Sequence, residues 1–313
     1  MKILVTGAIG FIGSHLVREL AGDDNEIFAI VRDMTQLHDE ISSLCHTVYY
    51  GDLRDFAFLR RVISESEAEH VYHLASCSIV RMCARDPIGA YQTNVMGTVN
   101  LLEAIRQSGD NVKRVVVSTS DKVYGHAEPP YTEETAFVPK YTYEATKACQ
   151  DFVCQNFFHN YDVPVSVIRL GNVYGPGDPN NSRLIPNTIR KALSGKSPVI
   201  YESVAEFRRE FVFIDDAVSA LLTIADTGTA GEAYCVGGLN EEPPTIREIV
   251  GIILEACGNA DLKIDYPKKH QAFKEIRVQY MNASKIREIG WSPRFNITDG
   301  IIETVESYLE DSK

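Results

Sequence analysis

The chain has 313 residues, of which 44% are hydrophobic, and it carries a formal net charge of −12. Its length predicts two lobes, and its acidic balance, with a pI of about 5.2, argues against nucleic-acid and membrane-surface partners. The chain lacks a run of about eighteen apolar residues, so no membrane span is expected; a strand directly after Met1 predicts that no signal peptide precedes the fold. The seven cysteines are scattered without a Cys-x-x-Cys pair, which predicts free thiols in the reducing cytoplasm and neither a metal site nor a disulfide framework.

The chain begins with a short apolar strand, a glycine-rich turn and a helix. Gly7, Gly10 and Gly13 follow the strand at intervals of three, and apolar residues at helical spacing come next. Glycines let the backbone approach a phosphate, and a helix N-terminus supplies N–H donors and the positive end of its dipole. The turn, with Phe11 and Ile12, is therefore the predicted dinucleotide site, although its spacing is G-x-x-G-x-x-G. A plain tight turn is the structural alternative.

The ends of the next two predicted strands carry charged residues. Asp33 would accept hydrogen bonds from the 2′-hydroxyl of NAD, whereas Arg32 suits the 2′-phosphate of NADP. NAD is the favoured cofactor, and NADP stays open because of Arg32. The alternative to a cofactor role is that both residues are solvated charges in a turn. Asp52 and Leu53 are predicted to lie at the adenine, and capping the next helix is an equally good role for Asp52.

The middle of the chain combines a β-branched strand, a polar strand end and a helix. Ser120, Asp121 and Lys122 follow the strand, where open parallel sheets bind ligands. Tyr143 and Lys147 are four positions apart and so share one face of the predicted helix. The ammonium would lower the pKa of the phenol, so that the tyrosine could act as a base nearer neutral pH.

Strands alternate with helices along the first half of the chain. The predicted strands are residues 2–5, 27–31, 48–50, 71–74, 115–117 and 165–170, and the predicted helices include residues 94–107, 143–160, 185–193 and 297–309. This alternation predicts a Rossmann-type, doubly wound parallel α/β sheet. A segment dense in Gly, Pro and Asn divides an NAD(P)-binding domain, residues 1–170, from a smaller α/β lobe for the substrate, residues 171–313, with the chain crossing back between them. The spacing of Thr245 and Glu248, three positions apart, predicts a capping box at the start of a helix.

Together these segments resemble the extended short-chain dehydrogenase/reductase family, in the branch that acts on nucleotide sugars. TGAIGFIGSHL is similar to its cofactor signature, Tyr143 and Lys147 match its Tyr-x-x-x-Lys pair, and Ser120 matches its catalytic Ser or Thr. TNVMGTVNLLEA, RLGNVYGPGD, REFVFIDDA and SKIREIGWSP match further family segments. The resemblance covers almost the whole chain.

The resemblance implies a shared chemistry. Tyr143 would remove the proton from the sugar O4 while NAD takes the C4 hydride, Ser120 would hold that oxygen, and Lys147 would bind the cofactor ribose. Leu74 and Ala75, at the end of the fourth strand, would lie near the nicotinamide. The residues expected to contact a nucleotide-diphosphate sugar are Asn94, Ser120, Asn172, Arg183 and, at the diphosphate, Arg209.

Asp121 and Lys122 distinguish activities within the family. In similar 4-epimerases the matching positions are small or uncharged, whereas 4,6-dehydratases carry an acid and a base there. Asp-Lys is similar to the CDP-glucose 4,6-dehydratases and the inverting UDP-N-acetylglucosamine 4,6-dehydratases. This predicts an NDP-hexose 4,6-dehydratase, with Asp121 as the acid at O6 and Lys122 as the base at C5, which requires a depressed lysine pKa. The alternatives are an NDP-sugar 4-epimerase, in which the two residues form an ion pair, and a non-enzymatic NAD-binding protein.

The C-terminal third matches the family less closely. RLIPNTIRKAL is similar to the CDP-glucose dehydratases, but Ala272 stands near the place of a family arginine, with His270 and Arg277 as possible substitutes. The nucleotide and the sugar therefore stay open. Because the family often dimerises through the helices matching residues 94–107 and 143–160, a homodimer is expected.

Overall fold

A parallel sheet of seven strands forms the centre of the protein, whose computed structural model describes residues 1–33, 35, 39–238, 242–268 and 276–310. The strands of this sheet are β1 (Lys2–Thr6), β2 (Glu26–Val31), β3 (Thr47–Tyr50), β4 (His70–His73), β5 (Arg114–Ser118), β6 (Val165–Leu170) and β10 (Ala233–Val236). Their order is β10-β6-β5-β4-β1-β2-β3, and all neighbours are parallel. The six predicted strands are confirmed, and β10 is a seventh that the sequence analysis missed.

Helices cover both faces of the sheet. They are α1 (Phe11–Ala21), α2 (Asp39–Leu44), α3 (Phe56–Ser66), α4 (Val80–Arg85), α5 (Pro87–Tyr91), α6 (Gly97–Gln107), α7 (Thr142–Tyr161), α8 (Leu184–Leu193), α9 (Ile214–Thr227), α10 (Ile246–Ala256), α11 (Ser284–Glu288) and α12 (Ile297–Glu310). Neighbouring residues of β1 point to opposite faces, so Ile3 packs with Leu16 of α1 and Leu221 of α9, whereas Leu4 packs with Leu102 of α6. The predicted doubly wound Rossmann-type fold is confirmed.

The chain returns to the sheet after building part of a smaller lobe. That lobe contains α8, α10 and two short strand pairs, β7 (Asn172–Tyr174) with β9 (Phe211–Phe213) and β8 (Arg208–Arg209) with β11 (Val278–Gln279). Helix α9 then packs against α1, and β10 pairs with β6. Sheet residues therefore lie on both sides of residue 170, and the division into residues 1–170 and 171–313 remains a prediction.

Local signals set several helix boundaries. The predicted capping box at Thr245 is confirmed, because its hydroxyl accepts from the Glu248 N–H at 3.1 Å while the Glu248 carboxylate accepts from the Thr245 N–H at 2.7 Å. The helix predicted over residues 94–107 begins instead as a turn of π-helix, Gln92–Met96, before α6.

Among the described residues, the structure contains no helix of sufficient length and apolarity to span a bilayer.

A buried ion pair connects α7 to the sheet. Arg169 of β6 donates to both carboxylate oxygens of Asp151 at 2.8 and 2.9 Å, and also to the hydroxyl of Tyr124 at 2.8 Å. Both charged side chains are at most 2% exposed. Removing one partner of such a pair leaves an uncompensated buried charge.

We expect Asp151→Asn to lower the free energy of unfolding by about 3–5 kcal/mol, because the Arg169 charge stays buried without its counter-ion. Urea unfolding followed by circular dichroism measures this loss. Glu67→Gln is the matched control, since it breaks the exposed ion pair with Lys2 and is expected to cost far less. Equal losses in the two variants would contradict a special role for the buried pair.

Candidate active site

A cleft of about 580 Å³ lies at the carboxyl edge of the sheet, facing the smaller lobe. The chain runs from β1 outward to β2 and β3, then returns to place β4 on the other side of β1. Open α/β sheets bind ligands at such a switch point. The predicted cofactor residues that line this cleft are Gly7, Gly10, Phe11, Ile12, Gly13, Leu74, Ala75, Tyr143 and Lys147.

The glycine turn has the shape that a bound pyrophosphate needs. Gly7 has φ of +75°, and a Cβ there would lie 2.7 Å from the Ala75 nitrogen. A Cβ on Gly13 would lie 2.0 Å from the Gly7 oxygen. Gly10 is the N-cap of α1 and, without a side chain, leaves the first N–H groups of the helix to a ligand. The turn therefore fits a dinucleotide cofactor, because larger residues at Gly7 and Gly13 would clash with the backbone that forms it, while Gly10 leaves the helix N-terminus accessible.

Arg32 and Asp33 follow β2, on the same sheet edge as the glycine turn but beyond the cleft. Oδ1 of Asp33 accepts from the backbone N–H and the hydroxyl of Thr35 at 3.0 and 2.7 Å, and these bonds lower its pKa. An ionised Asp33 at this edge suits a ribose diol, and the neighbouring Arg32 keeps a cation beside it.

Asp52 and Leu53 follow β3 at the same edge. The Asp52 carboxylate binds the Arg54 guanidinium at 2.9 and 2.7 Å, which lowers the pKa of Asp52. Helix α3 is capped by Asp55, whose side chain accepts from the Phe58 N–H, so the capping role considered for Asp52 is wrong. Leu53 is 6% exposed and packs in the core, where its side chain has little surface for a ligand.

The polar end of β5 and the start of α7 meet in the cleft. Ser120 caps a short 3₁₀ helix, and its hydroxyl donates to Asp121 Oδ1 at 2.9 Å and is hydrogen-bonded to Tyr143. Asp121 Oδ2 lies 3.5 Å from the Lys122 ammonium. Burial lowers the pKa of Lys122, and this effect of burial outweighs the opposing effect of the Asp121 carboxylate. The structure thus brings the predicted acid, base and hydroxyl groups together on one wall.

The expectation that the pKa of Tyr143 lies below its usual value is wrong for this structure. Burial raises the pKa of Tyr143 above its usual value, and the opposing effects come from Ser120 and Arg183. The Lys147 ammonium instead donates to the Ser118 carbonyl and to Gln150 Oε1, both at 2.9 Å. Burial lowers the pKa of Lys147 to about 8. One further ammonium N–H is left for a ligand in the cleft.

A buried hydrogen-bond network lies behind Lys147. Gln150 Nε2 donates to the Thr98 hydroxyl at 2.9 Å, and that hydroxyl donates to the Asn94 carbonyl at 2.7 Å. Because the Thr98 hydroxyl proton is already donated to the Asn94 carbonyl, His73 Nε2 must donate to the Thr98 oxygen, 3.0 Å away. His73 Nδ1 is then the acceptor for the Thr6 hydroxyl at 2.7 Å. The network fixes a neutral histidine in one tautomer and supports Gln150.

Asn94 was predicted to contact the substrate, and this prediction is wrong. Its side chain is fully buried, Oδ1 accepts from the Cys77 N–H at 2.7 Å, and Nδ2 donates to the Cys77 carbonyl and to Thr146. The π-helical turn aims Asn94 inward, so its amide holds the segment after β4 in place behind the cleft.

We expect acid to destabilise the wild-type protein more steeply than the variant His73→Gln. Burial lowers the pKa of His73 from 6.5 to about 3, so between these pH values the unfolded chain binds a proton that the folded chain does not. Stability from this group is fully present above pH 6.5 and falls as the pH drops, by up to about 1.4 kcal/mol per pH unit. Urea unfolding at several pH values measures both slopes, and equal slopes would show that His73 is not held neutral.

Three predicted substrate residues line the cleft on the smaller lobe. Asn172 donates to the Glu210 carbonyl at 2.9 Å. Arg183 is 40% exposed and donates to Asp178 at 3.2 Å. Arg209 donates to the backbone carbonyls of residues 208, 276 and 277. The two guanidinium groups give this wall a positive charge, which suits an anionic ligand.

The sequence analysis missed other residues of the cleft. Those from the segment after β4 and from the loop before α8 are Ser76, Ser78, Ile79, Val80, Arg81, Asp178, Asn180 and Ser182. The small and polar residues that follow Ala75 were the available signal in the sequence for the first group. Of the residues considered near the missing family arginine, His270 and Ala272 lie outside the described residues, and the Arg277 carbonyl accepts from the Arg208 N–H.

Comparisons with known proteins agree with this geometry. The sequence profile of the NAD dependent epimerase/dehydratase family matches residues 3–237. The dTDP-glucose 4,6-dehydratase of Shigella flexneri is 32% identical, over 100% of this chain and 94% of that protein. A UDP-glucose 4-epimerase from Thermotoga maritima, solved with UDP-glucose, has a TM-score of 0.91 at 26% identity, over 100% of both chains. A dTDP-glucose 4,6-dehydratase from Bacillus anthracis, solved with NAD, has a TM-score of 0.87 at 28% identity, over 100% of this chain and 97% of that one.

The profile match covers more than half of the chain, and the match to the Shigella enzyme spans all of it. Two features of the sequence that resembled enzymes acting on nucleotide sugars lie in the cleft. They are the glycine turn at the switch point and the Tyr-x-x-x-Lys pair. The chain belongs to the NAD dependent epimerase/dehydratase family.

Proposed function

We propose that this protein is an NAD-dependent NDP-hexose 4,6-dehydratase, which forms an NDP-4-keto-6-deoxyhexose. The observation that carries the proposal is the pair Asp121 and Lys122 on the cleft wall beside Ser120 and Tyr143. A 4-epimerase needs no acid and base at C5 and C6. A lysine whose pKa is lowered by burial is what proton removal from C5 requires.

The cofactor would be held by the glycine turn at its pyrophosphate, by Lys147 at one ribose and by Asp33 at the adenosine ribose. Bound NAD would supply the oxidation at C4 and the returning reduction at C6. NAD rather than NADP is supported by the ionised Asp33, which would repel a 2′-phosphate. The Bacillus anthracis dehydratase was solved with NAD.

The side chains would divide the proton transfers among them. Tyr143 takes the proton of the sugar O4 hydroxyl while Ser120, whose hydroxyl turns from Asp121 to the substrate, donates a hydrogen bond to that oxygen. Lys122 then removes the C5 proton, which the C4 ketone has made acidic, and Asp121 protonates O6 so that water leaves. This step requires a proton on Asp121 and none on Lys122. When C6 has been reduced, Lys122 returns its proton to C5. The proton that Tyr143 took from O4 restores Asp121 through Ser120, whose hydroxyl is hydrogen-bonded to both side chains.

The nucleotide sugar would lie between the catalytic wall and the smaller lobe. Arg183 and Arg209 would bind its diphosphate, because guanidinium groups donate in pairs to phosphate oxygens. Asn172, fixed by the Glu210 carbonyl, would contact the sugar. With these contacts the 4-hydroxyl would point toward Tyr143 and the 6-hydroxyl toward Asp121.

Mass spectrometry of nucleotide hexoses incubated with the purified protein tests the proposal. UDP-, CDP-, GDP- and dTDP-glucose and UDP-N-acetylglucosamine are each supplied with NAD and, separately, with NADP. A product lighter by one water names the reaction, the nucleotide and the preferred cofactor. A product of unchanged mass but altered retention time would identify a 4-epimerase and overturn the proposal. No product, with NAD bound, would indicate a binding protein.

A 4-epimerase is the second candidate. The observation that favours it is the TM-score of 0.91 with the Thermotoga UDP-glucose 4-epimerase, which covers both chains completely. Such an enzyme would use Ser120, Tyr143 and Lys147 in the same roles. It would need no proton transfer from Asp121, and for that reason the charged pair favours the dehydratase.

We also propose that the protein is a homodimer in the cytoplasm. Large apolar side chains are exposed along α7 and just before α6, with Phe152 58%, Tyr161 50% and Met96 48% exposed. A second copy packing there would form a four-helix contact. Free thiols suit a reducing compartment. Sedimentation is expected to give a dimer for the wild type and for Leu309→Glu, and a monomer for Phe152→Glu; a wild-type monomer would contradict the proposal.

A further inference from the structure

Gln279, in the smaller lobe, contacts Lys122 of the cleft wall. It lies in β11, and its register pairs it with Arg209 of β8. Its side chain is 1% exposed, and its Oε1 accepts a hydrogen bond from the Lys122 ammonium. The two residues are 157 positions apart, so the contact depends on the tertiary structure.

The charged groups around Lys122 act in opposite directions. Asp121 and, more weakly, Glu144 raise its pKa, whereas burial and Arg209 lower it, and the net direction is downward. The amide of Gln279 carries no net charge, so it can hold the ammonium without favouring the protonated form as a carboxylate would. Gln279 therefore orients Lys122 and preserves the low basicity that burial produces.

A terminal amide can also serve both protonation states of an amine. In one orientation its oxygen accepts from an ammonium, and after a half-turn its NH₂ group donates to the lone pair of a neutral amine. A lysine that gains and loses a proton in each catalytic cycle needs both kinds of partner in turn. Neither a carboxylate nor an apolar side chain of similar size provides them.

We propose that Gln279 is the positioning residue for Lys122, holding its amine at C5 of the sugar in both protonation states without adding a charge. This inference rests on the proposed function, in which Lys122 is the base. Gln279 acts through Lys122 and is not itself a catalytic residue.

The test compares Gln279→Glu and Gln279→Met with the wild type. NMR of the protein labelled with ¹³C and ¹⁵N in its lysines measures the pKa of Lys122, and Lys122→Arg identifies the resonance. In Gln279→Glu we expect this pKa to rise by about 1–3 units, because an opposite charge contacts the ammonium. The acid limb of the kcat/KM profile for water loss should move to higher pH by the same amount. In Gln279→Met we expect kcat to fall about tenfold or more at every pH, with KM for NAD unchanged.

Gln107→Glu adds the same charge on the exposed end of α6 and is the matched control, with no shift expected in the Lys122 titration. An unchanged Lys122 pKa in Gln279→Glu would overturn the inference even if the dehydratase activity were established. Wild-type kcat in Gln279→Met would overturn it too. If the protein proves to be a 4-epimerase, the proposed function fails, while the NMR titration still decides whether Gln279 controls Lys122.

Discussion

Tyr143→Phe is expected to lower kcat by about 10²–10⁴-fold while leaving NAD affinity and stability close to wild type. In the proposed mechanism the phenol takes the O4 proton, and positioned general bases contribute rate factors of this size. The phenylalanine ring keeps the packing against Cys83 and Ala90, so the fold should tolerate the change. Turnover is followed by the loss of the nucleotide hexose, and NAD binding by calorimetry.

Tyr161→Phe is the matched control, because Tyr161 lies on the same helix, is 50% exposed and is remote from the cleft. It should retain wild-type turnover. In deuterated water, Tyr143→Phe should also fail to exchange the C5 hydrogen of the sugar, since without C4 oxidation that hydrogen is not acidic. Near-normal turnover in Tyr143→Phe would remove Tyr143 from the mechanism and point to another base.

Asp121→Asn is expected to reduce water loss by about 10²–10⁴-fold and to spare the exchange of the C5 hydrogen with deuterated water. The amide cannot supply the proton that O6 needs to leave as water. It can still accept the hydrogen bond from Ser120, so the geometry around O4 is kept. Lys122 remains free to remove and return the C5 proton. Mass spectrometry reads both events, as a missing water and an added deuterium.

Asp110→Asn, an exposed residue in the turn between α6 and β5, controls for the loss of one negative charge. Lys122→Met should lose both the C5 exchange and the loss of water, because water cannot leave until the C5 proton has been removed. If Asp121→Asn instead interconverts C4 epimers at the wild-type rate, the protein is a 4-epimerase. In that outcome Asp121 and Lys122 are an ion pair of the cleft wall.

Local patterns in the sequence were sufficient for much of the fold and part of the site. Short apolar runs bounded by turn residues predicted six of the seven sheet strands, since a buried parallel strand needs a continuous apolar segment. The strand-turn-helix at Gly7 predicted where a cofactor fits, because the glycine positions follow from sterics within a few residues. Tyr143 and Lys147 share a helix face by spacing alone, and both line the cleft.

Other features depended on contacts between residues far apart in the chain. Strand β10 is four residues long, and its place beside β6 follows from α9 returning the chain to the sheet. Asn94 looked available to a ligand, yet tertiary packing turned its amide inward. The pKa of Tyr143 lies above its usual value instead of below it, because burial outweighs the opposing effects of Ser120 and Arg183.

The sequence by itself determined the doubly wound architecture and the residue types of the cleft, because these follow from hydrophobic periodicity and backbone sterics over short stretches. Only the tertiary structure decided which polar groups face one another, as in the contact of Gln279 with Lys122 and the network from Thr6 to Gln150. Hydrogen bonding and desolvation act over a few ångströms in space. Neighbours in space are set by how the two lobes close, and that information is spread over the whole chain.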